Sequence, residues 1–231
     1  CVDQTDSCFL GGSVEAGLAR IRAFLAQVDR QPLPTGSGRR LTVGNAFYGV
    51  VLPLYDRNYW YLLSAGLKQG FAGEGTLLLQ LADAYASRGP DGYVGNTVEA
   101  NYAISCLDDP TSIPVEDVPA QEPAFEKASP TFGDVFAWGL TTCSGLRVHP
   151  TEKPLRVDGA GAPPIVVVGT TRDPATPLAW AKDLADQLDS GVLVKRDGDG
   201  HTGYRSGNKC VDSTVESYLV QGKVPTAEVD C

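Results

Sequence analysis

The chain has 231 residues, of which 42% are hydrophobic and 20% charged, and its formal net charge is −9. This composition provides enough apolar side chains for a sizeable core and excludes a globally disordered chain. The acidic charge and the lack of a basic run exclude nucleic acid as a partner, because such binding needs cations that neutralise phosphates.

Neither a membrane span nor a targeting segment is visible in the sequence. No stretch approaches the roughly 18 apolar residues of a membrane-spanning helix. The sequence has no secretory signal and no methionine, including at position 1. We therefore expect a processed chain and not a primary translation product.

The sequence up to residue 106 predicts an almost wholly helical segment, which a loop and one more short helix follow. Apolar residues at helical spacing predict a helix over 13–30. Residues 41–69 predict two short helices divided at Pro53. A stretch with five prolines, from 107 to 133, predicts a loop. Three further helices are expected, over 76–87, 98–106 and 132–140.

The pattern changes after residue 160. A β-branched run at 165–168, bounded by a glycine, predicts a buried parallel strand, and residues 192–194 predict a second strand. Between them, Thr176 as N-cap and Pro177 at the first helical position predict a helix. A last helix is expected over 212–219. Strand, helix, strand and helix at this spacing predict a βαβ unit, and hence the α/β class.

Cysteines indicate the compartment. The even set comprises Cys1, Cys8, Cys106, Cys143, Cys210 and Cys231, without a CxxC pair. Because metal sites need clustered ligands and the chain has only two histidines, no metal is expected. Separated cysteines predict three disulfides in an oxidising compartment, with fifteen pairings possible. Neighbour order favours Cys1–Cys8, Cys106–Cys143 and Cys210–Cys231, and free thiols in a cytosolic protein are the alternative.

Two residues that follow the predicted strands have the chemistry of an acid and a base. Asp173 follows the first strand, and His201 lies in a glycine-rich stretch after the second. Ligands of open α/β sheets bind at the carboxyl ends of strands, and aspartate before histidine is the order in α/β-hydrolases. Each residue alone has an ordinary alternative, since aspartate before proline caps turns and loop histidines are often solvated. Their joint spacing favours a catalytic pair.

The serine that such a pair would activate is missing from the sequence. The strained turn that carries it has the pattern G-x-S-x-G, which does not occur in this chain. Ser144 lacks both the first glycine and a preceding strand, so we do not assign it as the nucleophile. The second histidine, His149, has no comparable setting and is interpreted as structural.

Several motifs together carry a family resemblance over nearly all of the chain. They are Ala103-Ile104-Ser105-Cys106-Leu107-Asp108, Pro164-Ile165-Val166-Val167-Val168-Gly169, Asp173-Pro174-Ala175-Thr176-Pro177, Gly200-His201-Thr202 and a final segment from Cys210 to Cys231. With them, the chain resembles the C-terminal part of the secreted actinobacterial tripeptidyl aminopeptidases, which are α/β-hydrolase serine peptidases. The family's first half, with the nucleophile and the oxyanion hole, has no counterpart here.

The resemblance implies a fold and a set of roles. Residues 1–105 would form a helical lid, and residues 106–231 the C-terminal part of the α/β-hydrolase core. Asp173 would be the triad acid and His201 the general base, with no cofactor. The partners would be an N-terminal segment of the same hydrolase, which carries the serine, and a peptide substrate in a secreted or cell-envelope location.

The activity expected from this resemblance is the release of tripeptides from free N-termini. An exopeptidase needs a carboxylate that binds the terminal ammonium, and Glu99 and Glu74 in the acidic, aromatic-rich lid are candidates. The ordinary alternative is that both are solvated surface carboxylates. Two other functions stay open: an esterase or amidase that acts on a non-peptide acyl substrate, and a non-catalytic unit that stands alone.

Overall fold

The computed structural model describes residues 1–2, 8–146, 150 and 155–231, which form two compact units. The helical unit comprises Cys1–Leu52 and Tyr61–Pro154, and the α/β unit comprises Pro53–Trp60 and Leu155–Cys231. The predicted division into a lid over 1–105 and a core over 106–231 concerns the whole enzyme and stays a prediction. In the described ranges, no helix combines the length and hydropathy that a membrane span requires.

The helical unit consists mainly of α-helices with two short β-hairpins. In chain order its elements are α1 (Val14–Arg30), β1 (Leu33–Pro34), β2 (Arg40–Leu41), α2 (Val43–Val51), α3 (Trp60–Phe71), α4 (Thr76–Tyr85), β3 (Arg88–Gly89), β4 (Gly92–Tyr93), α5 (Thr97–Asp108), α6 (Val118–Ala128) and α7 (Gly133–Gly139). Its core packs apolar side chains of α1 to α4 together, and Val28, Val50, Leu67 and Leu78 are fully buried.

The predicted helices of this unit are confirmed, with small shifts in their bounds. α1 begins after Ser13, whose hydroxyl accepts a hydrogen bond from the Ala16 amide at 3.1 Å. The predicted division at Pro53 is a 3₁₀ helix over Leu52–Tyr55, between α2 and α3. A second 3₁₀ helix follows over Arg57–Tyr59, in the segment Pro53–Trp60 that belongs to the α/β unit.

The predicted loop over 107–133 is wrong, because a 3₁₀ helix at Val115–Asp117 leads into α6. Pro119 lies in the first turn of α6, where its missing N–H has no intrahelical partner to lose. Val118 is fully buried, and a Cβ on Gly133 would lie 2.3 Å from the Phe125 carbonyl oxygen. Pro123 lies inside α6, where a proline is unfavourable, and the close packing of α7 on α6 outweighs this cost.

The α/β unit contains a parallel sheet, as the sequence predicts. Its elements are β5 (Ile165–Arg172), α8 (Leu178–Gln187), β6 (Gly191–Asp199), α9 (Lys209–Gln221) and β7 (Val229–Asp230). The strand order is β5-β6-β7, and both pairs are parallel. The βαβ prediction is confirmed, whereas β7, which has only two residues, was not predicted.

Both predicted strands are longer than expected. Gly169, interpreted as the boundary of the first strand, lies inside β5. A Cβ at this position would lie 2.7 Å from Ala181 Cβ and from Leu178 Cδ1, so glycine is needed for α8 to pack closely on β5. As a result, Asp173 follows the end of β5 directly and does not lie in a longer loop.

The two helices of this unit begin at other residues than predicted. α8 begins at Leu178 with Pro177 as its N-cap, so the assignment of Thr176 as N-cap is wrong. α9 begins three residues before the predicted 212, because the Asn208 side chain accepts hydrogen bonds from the Cys210 and Val211 amides. It ends at Gly222, which has a φ of +66°.

All three predicted disulfides are present: Cys1–Cys8, Cys106–Cys143 and Cys210–Cys231. The last one joins the first turn of α9 to the residue after β7. In addition, the Cys231 amide donates to the Lys195 carbonyl oxygen at 2.7 Å, and Lys195 forms an ion pair with Asp230. The end of the chain is thus fixed to β6.

Removal of the Cys210–Cys231 disulfide should destabilise the α/β unit. The two cysteines are 21 residues apart, so in the chain-entropy model the double variant Cys210→Ser/Cys231→Ser loses about 3 kcal/mol. The matched control is Cys1→Ser/Cys8→Ser, whose separation of 7 residues predicts a loss nearer to 2 kcal/mol. Urea unfolding measures both, and equal or reversed losses would contradict this order.

Candidate functional site

The parallel pairing of β5 and β6 brings Asp173 and His201 together. Their register shifts near the carboxyl ends, where Thr170 pairs with Arg196 but Arg172 pairs with Asp199. β6 thus contains one extra residue, which is a β-bulge. Asp173 directly follows β5, while Gly200 and then His201 follow β6. At this edge, His201 Nδ1 lies 3.0 Å from Asp173 Oδ1.

The Asp173 carboxylate is buried, with 2% of its side chain exposed, and is surrounded by donors. Oδ1 accepts from the amides of Ala175 and Thr176, each at 2.8 Å. Oδ2 accepts from the Thr202 amide and the Thr176 hydroxyl, each at 3.0 Å. Burial alone would raise the pKa of Asp173, but the hydrogen bonds from Thr176, Ala175, Thr202 and His201 outweigh it and hold this pKa below its ordinary value.

The His201 ring is held in one orientation. Nδ1 lies 3.0 and 3.1 Å from the two oxygens of Asp173. Since this carboxyl has a lowered pKa and acts as the acceptor, Nδ1 is the donor of the contact, and in the neutral imidazole Nε2 is the acceptor nitrogen. The ring is 30% exposed, so a reactant can approach it.

The segment 53–60 supports His201 from the other side. The His201 amide donates to the Tyr55 carbonyl oxygen at 2.8 Å. The two rings meet edge to face, with centroids 5.1 Å apart. Gly200 has a φ of +104°, and a Cβ there would lie 2.9 Å from the same carbonyl oxygen, so the approach requires glycine. This role of Tyr55 was not predicted, because no local sequence pattern relates it to residue 201.

Thr176 is a second site residue, and its predicted role as the N-cap of α8 is wrong. Its hydroxyl donates to Asp173 Oδ2 and lies 3.3 Å from His201 Nδ1. A usable signal was present in the segment Asp173-Pro174-Ala175-Thr176, since aspartate often bonds the amides that follow it in a turn. This bonding places the Thr176 hydroxyl on the carboxylate and away from the start of α8.

A polar cleft lies beside the histidine. Its volume is about 560 Å³, and it is lined among others by Tyr55, Arg57, Arg196, His201 and Arg205. All of its lining residues belong to the α/β unit. A small acyl or peptide group could therefore reach the exposed edge of the imidazole.

The other predicted residues lie in the helical unit or outside the described residues. Glu74 accepts hydrogen bonds from the amide of Thr76, at 3.0 Å, and from its hydroxyl, at the start of α4. Glu99 is exposed in the first turn of α5. Ser144 lies in a turn after α7 and does not follow a strand. His149 lies outside the described residues.

Comparison with known proteins shows similarity to TAP-like hydrolases. A family model for the TAP-like proteins matches residues 129–231. The tripeptidyl aminopeptidase of Streptomyces lividans is 32% identical over 97 residues, which is 41% of this chain and 18% of that protein. Residues 129–231 belong to the TAP-like family of α/β-hydrolases. The family resemblance deduced from the motifs is thereby confirmed.

Two mycobacterial relatives of this TAP-like chain cover more of its length. Serine protease Hip1 of Mycobacterium tuberculosis H37Rv is 37% identical over 207 residues, covering 87% of this chain and 39% of that protein. Carboxylesterase B of the same organism is 34% identical over 242 residues, covering 99% of this chain and 44% of that protein. The chain thus spans about two fifths of the length of these relatives.

The stability of the α/β unit should depend on pH through Asp173. Its folded-state pKa is below the ordinary value of 3.8, so its stabilising contribution is fully present above that value and is lost as the pH falls through the folded pKa. Asp173→Asn should cost about 2 kcal/mol or more at pH 6. Because asparagine does not titrate in this range, the variant should lose less stability between pH 6 and pH 3 than the unchanged chain does.

Urea unfolding at the two pH values measures this effect. The control is Asp183→Asn, an exposed aspartate of α8, which should keep the pH dependence of the unchanged chain. The same loss of stability between pH 6 and pH 3 in all three proteins would contradict the role of the Asp173 carboxylate.

Proposed function

We propose that this chain supplies the acid and the general base of a TAP-like serine hydrolase whose nucleophilic serine lies on another segment of the same enzyme. The observation that carries the proposal is the contact of 3.0 Å between Asp173 Oδ1 and His201 Nδ1 at the ends of adjacent parallel strands. The absence of a G-x-S-x-G pattern in the sequence supports placing the serine elsewhere.

The site geometry gives each residue a step in the reaction. His201 Nε2 takes the serine proton as the oxygen attacks the acyl carbon and later gives that proton to the leaving group. Asp173 keeps the proton on Nδ1 and stabilises the imidazolium that forms. General base catalysis of this kind supplies about 10²–10⁴ in rate. Because five hydrogen bonds keep Asp173 ionised, it holds the ring without itself accepting the proton.

The more specific proposal is an exopeptidase that releases tripeptides from free N-termini. Its support is the family and two relatives, which are named a serine protease and a tripeptidyl aminopeptidase. Glu99 is the better of the two candidates for the substrate's ammonium group, since its side chain is exposed. Glu74 already accepts two hydrogen bonds from Thr76. The proposed lid over 1–105 contains both.

A second candidate function is an esterase. The relative named carboxylesterase B aligns with 99% of this chain, more than the other relatives reported above. The mechanism at Asp173 and His201 would be unchanged, and the substrate would be a non-peptide acyl ester. The two functions differ in whether a free amino terminus is needed.

The same proposal places the enzyme outside the cytoplasm. Its support is the three disulfides, since such bonds persist in oxidising compartments. A thiol titration of the chain isolated from its native source checks this, and six free thiols would contradict it.

A fluorophosphonate probe tests the division of the catalytic residues. We expect the probe to label the whole hydrolase but not this chain alone, with intact mass spectrometry as the readout. In the whole hydrolase, His201→Gln should lower kcat about 10⁴-fold or more, because the residues of a triad act as a unit. Asp183→Asn is the matched control and should retain activity.

Labelling of this chain alone would overturn the proposal that the serine lies elsewhere. A whole hydrolase that is labelled normally and whose activity does not change on substitution of His201 would instead support the non-catalytic alternative for this chain.

Substrates with free and acetylated N-termini distinguish the peptidase from the esterase. We expect cleavage of a free tripeptidyl chromogenic amide by the whole hydrolase and little cleavage of its acetylated form. Glu99→Gln should raise KM for the free peptide about tenfold, as expected for the loss of a hydrogen bond to a charged group. Glu74→Gln is the control and should change KM less. Equal hydrolysis of both peptides and of a short acyl ester would favour the esterase.

A further inference from the structure

Thr170 is a buried polar residue near the site that the mechanism does not use. It lies on β5, three residues before Asp173, and only 1% of its surface is exposed. Among the described residues, it is the only polar residue that is buried when backbone and side chain are counted together. Its hydroxyl donates to the Thr202 carbonyl oxygen at 3.1 Å. A buried hydroxyl is unfavourable unless it is paired, so this hydrogen bond fixes where the hydroxyl points.

The acceptor of that hydrogen bond has an unusual backbone conformation. Thr202 has a φ of +68°, in the left-handed region, which is rare for a β-branched residue. Two hydrogen bonds hold it there. Its carbonyl accepts from Thr170, and its amide donates to Asp173 Oδ2 at 3.0 Å. The strained residue thus connects the base, one position earlier in the chain, with the acid.

The neighbouring packing supports this geometry. Val168 and Thr170 lie on the same face of β5, because side chains alternate along a strand. A Cβ on Gly203 would lie 2.6 Å from Val168 Cγ1 and 3.4 Å from Thr170 Oγ1. The turn over Thr202 and Gly203 therefore packs tightly against this face, with the Thr170 hydroxyl bonded to it.

We propose that Thr170 is a positioning residue for the Asp173–His201 pair. Its hydroxyl holds the Thr202 backbone in the left-handed conformation, which aims the Thr202 amide at Asp173 and keeps the His201 ring against the carboxylate. The proposal rests on the proposed function only in that the pair is catalytic. The arrangement itself can be measured without any activity.

Nuclear magnetic resonance of Thr170→Val tests this role in the chain as it stands. Loss of the hydroxyl should release the Thr202 amide, which we expect to exchange with solvent about tenfold faster. The Asp173 carboxyl, with one donor fewer, should titrate at a higher pH. Thr170→Ser keeps the hydroxyl and should restore both values.

Thr171→Val is the matched control, because the Thr171 hydroxyl bonds to Asp197 and Gly198 on β6 and not to the turn. It should leave both measurements unchanged. A folded Thr170→Val chain with an unchanged Thr202 exchange rate and an unchanged Asp173 titration would overturn the proposal. If the valine variant does not fold, Thr170→Cys, which has a similar size and a weaker donor, takes its place.

A second measurement separates this proposal from the function. In the whole hydrolase, Thr170→Val should lower kcat with little change in KM, and serine should rescue it. If the hydrolase proved inactive on every substrate, the exchange and titration results would still decide the role of Thr170. If these results hold while kcat does not change, Thr170 positions the pair without a consequence for catalysis, and the positioning role in the reaction is wrong.

Discussion

The candidate site depends on the hydrogen bonds that surround the buried Asp173 carboxylate. A carboxylate removed from water loses several kcal/mol of hydration free energy. Here that loss is offset by donors from two turns: the amides of Ala175 and Thr176 and the Thr176 hydroxyl from its own turn, and the Thr202 amide and His201 Nδ1 from the turn after β6. The charge therefore joins the two strand ends, and the same contacts that stabilise the fold orient the His201 ring.

The strand ends are held together by more than this one group. The bulge in β6 advances His201 relative to β5, and Arg172 extends the connection by donating to Asp199 at 2.6 Å and to Asp197 at 2.8 Å. These hydrogen bonds raise the pKa of Arg172 above its ordinary value, and the one to Asp199 contributes more than the one to Asp197. Because arginine stays charged at any accessible pH, the pairing of the strand ends does not depend on titration of the cation.

Sequence patterns predicted the parts of this arrangement that follow from local periodicity. The parallel strands, the order of Asp173 and His201 and the disulfide pairing were all readable, because each follows from spacing along the chain. The patterns failed where packing between distant residues decides the structure. α6 forms despite Pro123 because Val118 and Gly133 pack closely at its ends, and Gly169 continues β5 because α8 needs the space. The role of Tyr55 depends on contact with a residue far along the sequence, which no local pattern contains.

The position of Tyr55 also changes how the predicted lid is understood. Residues 53–60 belong to the α/β unit, although the residues on both sides of them in sequence belong to the helical unit. Within the α/β unit, the Tyr55 carbonyl accepts from the His201 amide, and Arg57 approaches Asp199 at 3.7 Å. A sequence interval within the predicted lid thus contains structural support for His201. Under the proposed function, a substitution in this interval would alter proton transfer through His201 without any contact with the substrate, so a change in kcat alone would not assign a residue to substrate binding.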